Sequence, residues 1–161
     1  MKLNEDIIKL VNSYSSPTIL EIGCRTGQNI DLFLEHCAYY YAYEADQDLF
    51  MEARRFAQGK ANVFLTCGNA LRVAPNKYDF VLINQKRPEL VRQAIVALLK
   101  RNLTSNHFMV VVQNYVENSF FIDKFFKDIM VRIGSDLEAA AICITQEKKK
   151  ELEERLSKEA I

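Results

Sequence analysis

Residues 108–112, Phe-Met-Val-Val-Val, form a run with no polar face. A strand with one wet face alternates apolar and polar side chains, so this strand is expected to be covered by helices on both sides, as in a parallel sheet. The remaining pattern agrees. Thr18–Ile22 reads as a strand ending at Gly23, and Tyr39–Glu44, 62–66 and Tyr78–Ile83 read as three more. Helical periodicity fills the intervals. One helix runs from Gly27 with Ile30, Phe33, Leu34 and Cys37 on one face. A second follows Asp46 as its cap, carries Leu49, Phe50, Ala53, Phe56 and Ala57, and stops at Gly59. A third opens with Pro88 at its first position and carries Val91, Ile95, Leu98 and Leu99. A short opening helix (Leu3, Ile7, Leu10 and Val11, with Asn4 as N-cap) precedes them. After the apolar run come a helical stripe of Phe121, Ile122, Phe125, Phe126 and Ile129, a hairpin of Met130–Ile133 and 139–145, and a charged helix at 146–160. Strands alternating with helices predict an α/β fold: a single three-layer sandwich with a mostly parallel seven-stranded sheet and a C-terminal antiparallel hairpin. Residues 1–146 are expected to form that domain, and 147–161 a helix appended to it. Its stripe of Leu152, Leu156 and Ala160 docks on the sheet edge or on a second subunit, and deletion from Lys149 onward is expected to leave the fold intact.

Composition narrows the function. A chain of 161 residues can bury roughly two-thirds of its unfolded surface as one domain. Its 21 basic and 21 acidic residues cancel, which gives no clear nucleic-acid or anionic-membrane footprint. No apolar stretch approaches the ~20 residues that span a bilayer. Cys24, Cys37, Cys67 and Cys143 form no CxxC pair and have no histidine at metal-site spacing; Cys37, Cys67 and Cys143 lie in apolar or strand-like context, where buried, reduced thiols of a cytoplasmic protein are expected, whereas Cys24 differs in sitting in a glycine loop.

Ligands of open parallel sheets bind outside the carboxyl ends of the strands. That rule selects residues 23–27, 44–46, 68–70, 84–87 and 113–115, and it leaves His36 and His107 away from the site. The segment Leu20-Glu21-Ile22-Gly23-Cys24-Arg25-Thr26-Gly27 carries the most information. Its two glycines bracket a strand-to-helix turn whose backbone can approach a polar ligand. A dinucleotide fingerprint would need glycine at Arg25 and Gln28, which disfavours a nicotinamide cofactor. Glu44 lies 21 residues after Gly23, at the tip of strand two, where an acid can accept both hydroxyls of a ribose. That feature leaves the choice among adenosine cofactors open.

In this order, Glu21, Gly23 and Gly27, then Glu44, then Gly68-Asn69-Ala70, then 78–83 resemble the class I S-adenosylmethionine (SAM)-dependent methyltransferases, whose fold is Rossmann-like. The segment 78–115 is most similar in pattern to the small-molecule O-methyltransferases related to catechol O-methyltransferase. The resemblance implies SAM held by Glu21, Gly23, Cys24, Arg25, Gly27, Glu44, Ala45, Asn69, Ala70 and Asn84. Glu44 would take the ribose, and Asn69 with Ala70 the adenine. The sequence departs from the family in three places. Arg25 replaces the middle glycine of the first motif and either covers or blocks the pocket. Asn69 replaces an aspartate. Asn84 and Gln113 stand where the catechol-type enzymes carry metal-binding aspartates, so no metal is expected. The implied function is methyl transfer to an acceptor, a small molecule or a partner protein. No catalytic base is assigned; Lys86 is the nearest candidate. The alternative is a non-catalytic module of the same fold that binds SAM or a protein partner, and assembly into a homo-oligomer stays open.

Overall fold

The computed structural model describes residues 2–158. In chain order its elements are α1 (Lys2–Asn12), β1 (Thr18–Ile22), α2 (Gln28–Phe33), β2 (Tyr39–Glu44), α3 (Gln47–Ala57), β3 (Val63–Cys67), β4 (Tyr78–Ile83), α4 (Pro88–Lys100), β5 (Thr104–Val112), α5 (Tyr115–Phe126), β6 (Met130–Ile133), β7 (Ala139–Ile144) and α6 (Gln146–Ser157). Short 3₁₀ turns lie at Leu34–His36, Ala70–Arg72 and Lys127–Ile129. The seven strands form one sheet in the order β3-β2-β1-β4-β5-β7-β6. Strands β1 to β5 are parallel, and β7 runs antiparallel to both β5 and β6.

Each central strand feeds two cores. On one face Leu20, Ile22, Val81, Ile83, Val110 and Val112 pack with α4, α5 and α6. On the other, Ile19, Ala42, Phe80, Leu82, Met109 and Val111 pack with Ile7 and Val11 of α1, Ile30 and Phe33 of α2, and Ala53 of α3. The two faces together require the unbroken apolar run in β5. The sandwich expected from the sequence is therefore present. Among the described residues, no helix is long and apolar enough to cross a membrane.

Several local expectations differ. Helix α1 is already formed at Lys2, so Asn4 lies inside its first turn and is not its cap. Helix α2 ends at Phe33 and tightens into the 3₁₀ turn, which puts Cys37 outside it in extended backbone. Strand β5 begins at Thr104, ahead of the apolar run, and His107 is part of it, in the half away from the carboxyl edge. Asp79 explains this extension: its carboxylate accepts from the Ser105 hydroxyl and from the Thr18 N–H (3.0 Å), tying the starts of β4, β5 and β1 together. Of the three thiols expected to be buried, Cys67 is exposed and Cys37 and Cys143 are half-buried, whereas Cys24, set apart by its glycine loop, is the buried one; all four are free.

Helix α6 departs furthest from expectation. Leu152 and Leu156 are completely buried in the core shared with α4 and β5. The buried Lys149 ammonium donates to Asn102 Oδ1 (2.6 Å) and to the Thr104 carbonyl (3.3 Å). The helix is thus a wall of the core rather than an appendage; Ala160 and Ile161 lie outside the described residues. Leu152→Ala is expected to cost about 2–5 kcal/mol, the range for emptying a leucine site. Deletion from Lys149 onward removes both leucines and is expected to cost more. Urea denaturation that finds either variant as stable as the parent chain would contradict this packing.

Candidate functional site

The parallel order brings the carboxyl ends of β1, β2, β3, β4 and β5 to one edge of the sheet, where the loops leave the strand ladders and their N–H groups need other acceptors. The buried Glu44 carboxylate supplies two of them, and a second buried carboxylate, Glu21, holds side chains beneath the loop. Glu44 at the end of β2 accepts from the Arg25 N–H at Oε1 (2.7 Å) and from the Asp46 N–H at Oε2 (2.9 Å). One side chain therefore clamps the β1–α2 loop to the β2–α3 loop. Asp46 in turn caps α3, its Oδ1 accepting from the Asp48 and Leu49 N–H groups at 2.9 and 3.1 Å, as its position in the sequence requires.

Glu21 is completely buried. Its Oε1 accepts from the Tyr40 hydroxyl and its Oε2 from Asn29 Nδ2, both at 2.8 Å. Burial raises the carboxyl group's pKa from 4.5 to about 7, against the lowering effect of those two hydrogen bonds, and the Glu44 charge adds to the rise. Tyr40, buried beside it, is held neutral well above its usual range.

The β1–α2 loop owes its shape to close contacts within the chain. Gly23 has φ +82°, and a Cβ there would stand 2.7 Å from the Asn84 carbonyl oxygen and 2.8 Å from the Gln85 side chain. Gly27 has φ +85°, and a Cβ there would meet Ala53 of α3 at 3.0 Å. Both positions need glycine for packing as well as for conformation. Arg25, at the family's middle glycine, keeps the left-handed backbone that glycine would favour, with φ +55°. Its side chain is exposed. The buried Cys24 thiol is pushed up by desolvation and by the Glu21 and Glu44 charges, which keeps it protonated and a poor nucleophile.

Beside this loop lies a polar cleft of about 260 Å³. Carboxamides dominate its lining: Asn4, Gln28, Asn29, Asn84 and Gln113, with Cys24, Arg25 and Thr26. The structure thus joins Cys24, Arg25 and Asn84 around one cleft at the ends of β1, β4 and β5. Glu44, Ala45, Asn69 and Ala70 do not line it; they lie at the ends of β2 and β3, beyond the Glu44 clamp. The Asn69 side chain accepts from the Leu71 N–H (3.0 Å) and so caps the 3₁₀ turn at Ala70–Arg72. Asn84 and Gln113, read from sequence as replaced metal ligands, share the cleft. Among the described residues no three His, Cys, Asp or Glu side chains cluster as metal ligands would.

The sequence reading missed Asn4, Gln28 and Asn29 in the cleft lining; Gln85, within the selected 84–87 loop, packs over Gly23. Asn29 carried a signal: it sits in the first turn after the glycine loop, where a side chain reaches back toward the strand end. Asn4 carried none, since only tertiary packing sets α1 beside β1.

No family model matches the chain, and no curated protein matches it in sequence. Solved structures do match. A SAM-dependent methyltransferase from Aquifex aeolicus aligns over 88% of this chain and 88% of its own, with 12% identity and a TM-score of 0.66. A Streptococcus mutans protein solved in complex with SAH aligns over 89% of this chain and 98% of its own, with 10% identity and a TM-score of 0.70. SAM-bound CalS10, an amino pentose methyltransferase from Micromonospora echinaspora, aligns over 68% of this chain, with 17% identity and a TM-score of 0.58. The chain spans about half the length of CalS10 and of DesVI from Streptomyces venezuelae, 48% and 49%. At these identities the likeness establishes the fold alone, which this chain shares with those structures.

The Glu21 environment fixes a pH dependence. Its folded pKa lies above the unfolded value, so between 4.5 and about 7 the folded chain holds a proton that the unfolded chain has released. Stability from this group is full below that window and falls as pH rises through it, by about 3 kcal/mol in all. Glu21→Gln removes the titrating group while keeping an acceptor for one of the two donors, the other partner turning to accept from the new amide N–H, and is expected to flatten the decline. Urea denaturation at pH 5 and pH 8 measures it; the same loss in variant and parent would show that Glu21 is not the group responsible.

Proposed function

We propose that the chain is a SAM-dependent methyltransferase acting on an unidentified acceptor, with the cofactor at the carboxyl edge of β1, β2 and β3. The observation that carries this reading is the sheet order, which sets the glycine turn, Glu44 and Asn69 side by side on adjacent strand ends. An adenosyl ligand laid along that edge would meet the Gly23-to-Gly27 turn with its amino-acid end. Its ribose would face Glu44 and its adenine the Asn69 carbonyl and the Ala70 backbone, with Glu21, Cys24, Arg25, Ala45 and Asn84 around it.

The donor set suits such a ligand. Each Glu44 oxygen accepts one backbone N–H and keeps a lone pair that a ribose hydroxyl could use. The carboxamides of the adjoining cleft offer both donors and acceptors to a polar acceptor group. When bound, SAM supplies an activated methyl group, and the protein's part is to align the acceptor with it and exclude water. Cys24 is unsuited as a nucleophile, and no residue is assigned as a base.

A second reading, a non-catalytic module of the same fold, is favoured by two specific features. Glu44 is already engaged by Arg25 and Asp46, and the cleft of about 260 Å³ is smaller than the ~300 Å³ from which small-molecule pockets usually start. We place the protein in the cytoplasm, where its four free thiols would stay reduced.

Calorimetry tests the cofactor assignment. SAM and its demethylated product S-adenosylhomocysteine are expected to bind, and Glu44→Ala to weaken binding by about 1.5–3 kcal/mol, the range for hydrogen bonds to a charged group. Far-UV circular dichroism checks that the variant keeps its fold once the loop clamp is gone. A folded parent chain that binds neither ligand at millimolar concentration would overturn the assignment. Binding with no turnover of any acceptor would favour the second reading. Any methyl transfer is expected to survive a chelator, because Asn84 and Gln113 lack the charge to strip water from magnesium. Loss of activity with chelator and recovery with magnesium would contradict that.

A further inference from the structure

The edge of the sheet opposite the Glu44 loops holds a buried cation with no carboxylate bound to it. Lys149 sits in the first turn of α6 and is 5% exposed. An ammonium taken out of water normally meets an acid or loses its proton. This one meets neutral acceptors, Asn102 Oδ1 and the Thr104 carbonyl, and among the described residues it forms no ion pair. Two of its three protons are thereby used, and the third is left over. Burial and the Lys77 charge hold its pKa below the usual lysine range, while Glu153 opposes them.

More positive charge converges on the same place. Lys77, just before β4, donates to the Asn102 carbonyl (3.1 Å), so two ammoniums are tied to one residue. A groove of about 390 Å³ opens beside Lys149, between the end of α4 and the start of α6. Lys100, Lys150 and the carboxamides of Asn102, Asn106 and Gln146 line it with Lys149. Lys100 and Lys150 are exposed, and among the described residues neither forms an ion pair. Three lysines against a single acid, Glu153, leave the lining with a surplus of two positive charges. That surplus is local, because the charges of the whole chain cancel.

These features select the ligand. Two surplus positive charges suit a phosphate monoester, which carries about −1.5 to −2 at neutral pH, better than a singly charged carboxylate. A phosphoryl group also presents three strong acceptor oxygens. They match the spare Lys149 proton, the Lys100 and Lys150 ammoniums and the carboxamide N–H donors. We infer that this groove binds a phosphoryl group, with Lys149 as its fixed donor and Lys100 and Lys150 at its rim. The groove lies within the ~300–1,000 Å³ of small-molecule pockets, so a small phosphate ester fits it better than the free ion. The site stands at the amino ends of β4 and β5, away from the proposed cofactor edge, and does not rest on the methyltransferase reading.

Amide-resolved NMR titration of the full chain with glycerol 3-phosphate tests the site. Saturable shifts are expected at the Asn102, Asn106, Gln146 and Lys149 amides, with weaker binding of inorganic phosphate and none of acetate at the same concentration. Inorganic phosphate binding as tightly as the ester would make the free ion the ligand of the same site. Glu153→Gln removes the opposing charge and is expected to tighten ester binding severalfold. Lys100→Gln with Lys150→Gln alters only exposed side chains and is expected to weaken it about tenfold. Lys149→Met keeps the buried stem and is expected to abolish saturation in a chain that far-UV circular dichroism shows to be folded; where it does not fold, the other variants decide. No saturable shift at millimolar ester, acetate binding as well as the ester, or charge variants that bind as the parent does, would overturn the proposal. So would a single-stranded oligonucleotide that moves these amides at lower concentration than the ester, since the groove would then be a nucleic-acid surface.

Discussion

At the carboxyl edge of a parallel sheet, the loops lose the ladder partners that the strands enjoy, and every buried N–H there must find another acceptor. In this chain Glu44 meets that requirement for two loops at once, through Arg25 and Asp46. Much of the site follows from it. The clamp holds Arg25 in its left-handed conformation, positions Asp46 to cap α3, and separates the amide-lined cleft at β1, β4 and β5 from the ends of β2 and β3. Glu21, one layer deeper, is satisfied by Tyr40 and Asn29 and ties the second residue of α2 to the strand beneath it.

Glu44 therefore has two demands on it. The fold uses it as a structural acceptor, and the proposed cofactor would use it as a ribose ligand. These uses are compatible because a carboxylate has more lone pairs than the two N–H groups consume. They are also coupled: a ligand drawing on Glu44 would weaken or strengthen its hold on both loops.

The layer order and most strand positions were legible in the sequence because they depend on short-range pattern. Thr18–Ile22, Tyr39–Glu44 and Tyr78–Ile83 are apolar or aromatic runs closed by turn residues, and the structure keeps the bounds read for them. The caps at Asp46 and Pro88 act within one helical turn and were equally readable. Errors arose where distant residues decide. Polar Ser105, Asn106 and His107 look unlike a strand but extend β5, anchored in part by Asp79, 26 residues away from Ser105. Helix α6 reads as a charged appendage with a thin docking stripe because only Leu152 and Leu156 face inward, yet the core closes on those two. That residues 23–27, 44–46 and 68–70 fall at the carboxyl ends of strands was legible for the same reason as the fold. What Glu44 and Asn69 already hold was not, since both bind backbone groups that carry no side-chain signature.

The central claim is that the strand-end loops joined by Glu44 form the binding edge for an adenosyl ligand. Amide-resolved NMR titration with S-adenosylhomocysteine tests it most directly. The account predicts shifts concentrated at the Arg25, Asp46 and Asn84 amides, at the meeting point of β1, β2 and β4. Saturable binding with those three amides unmoved, or no change in any amide at millimolar ligand, would contradict it.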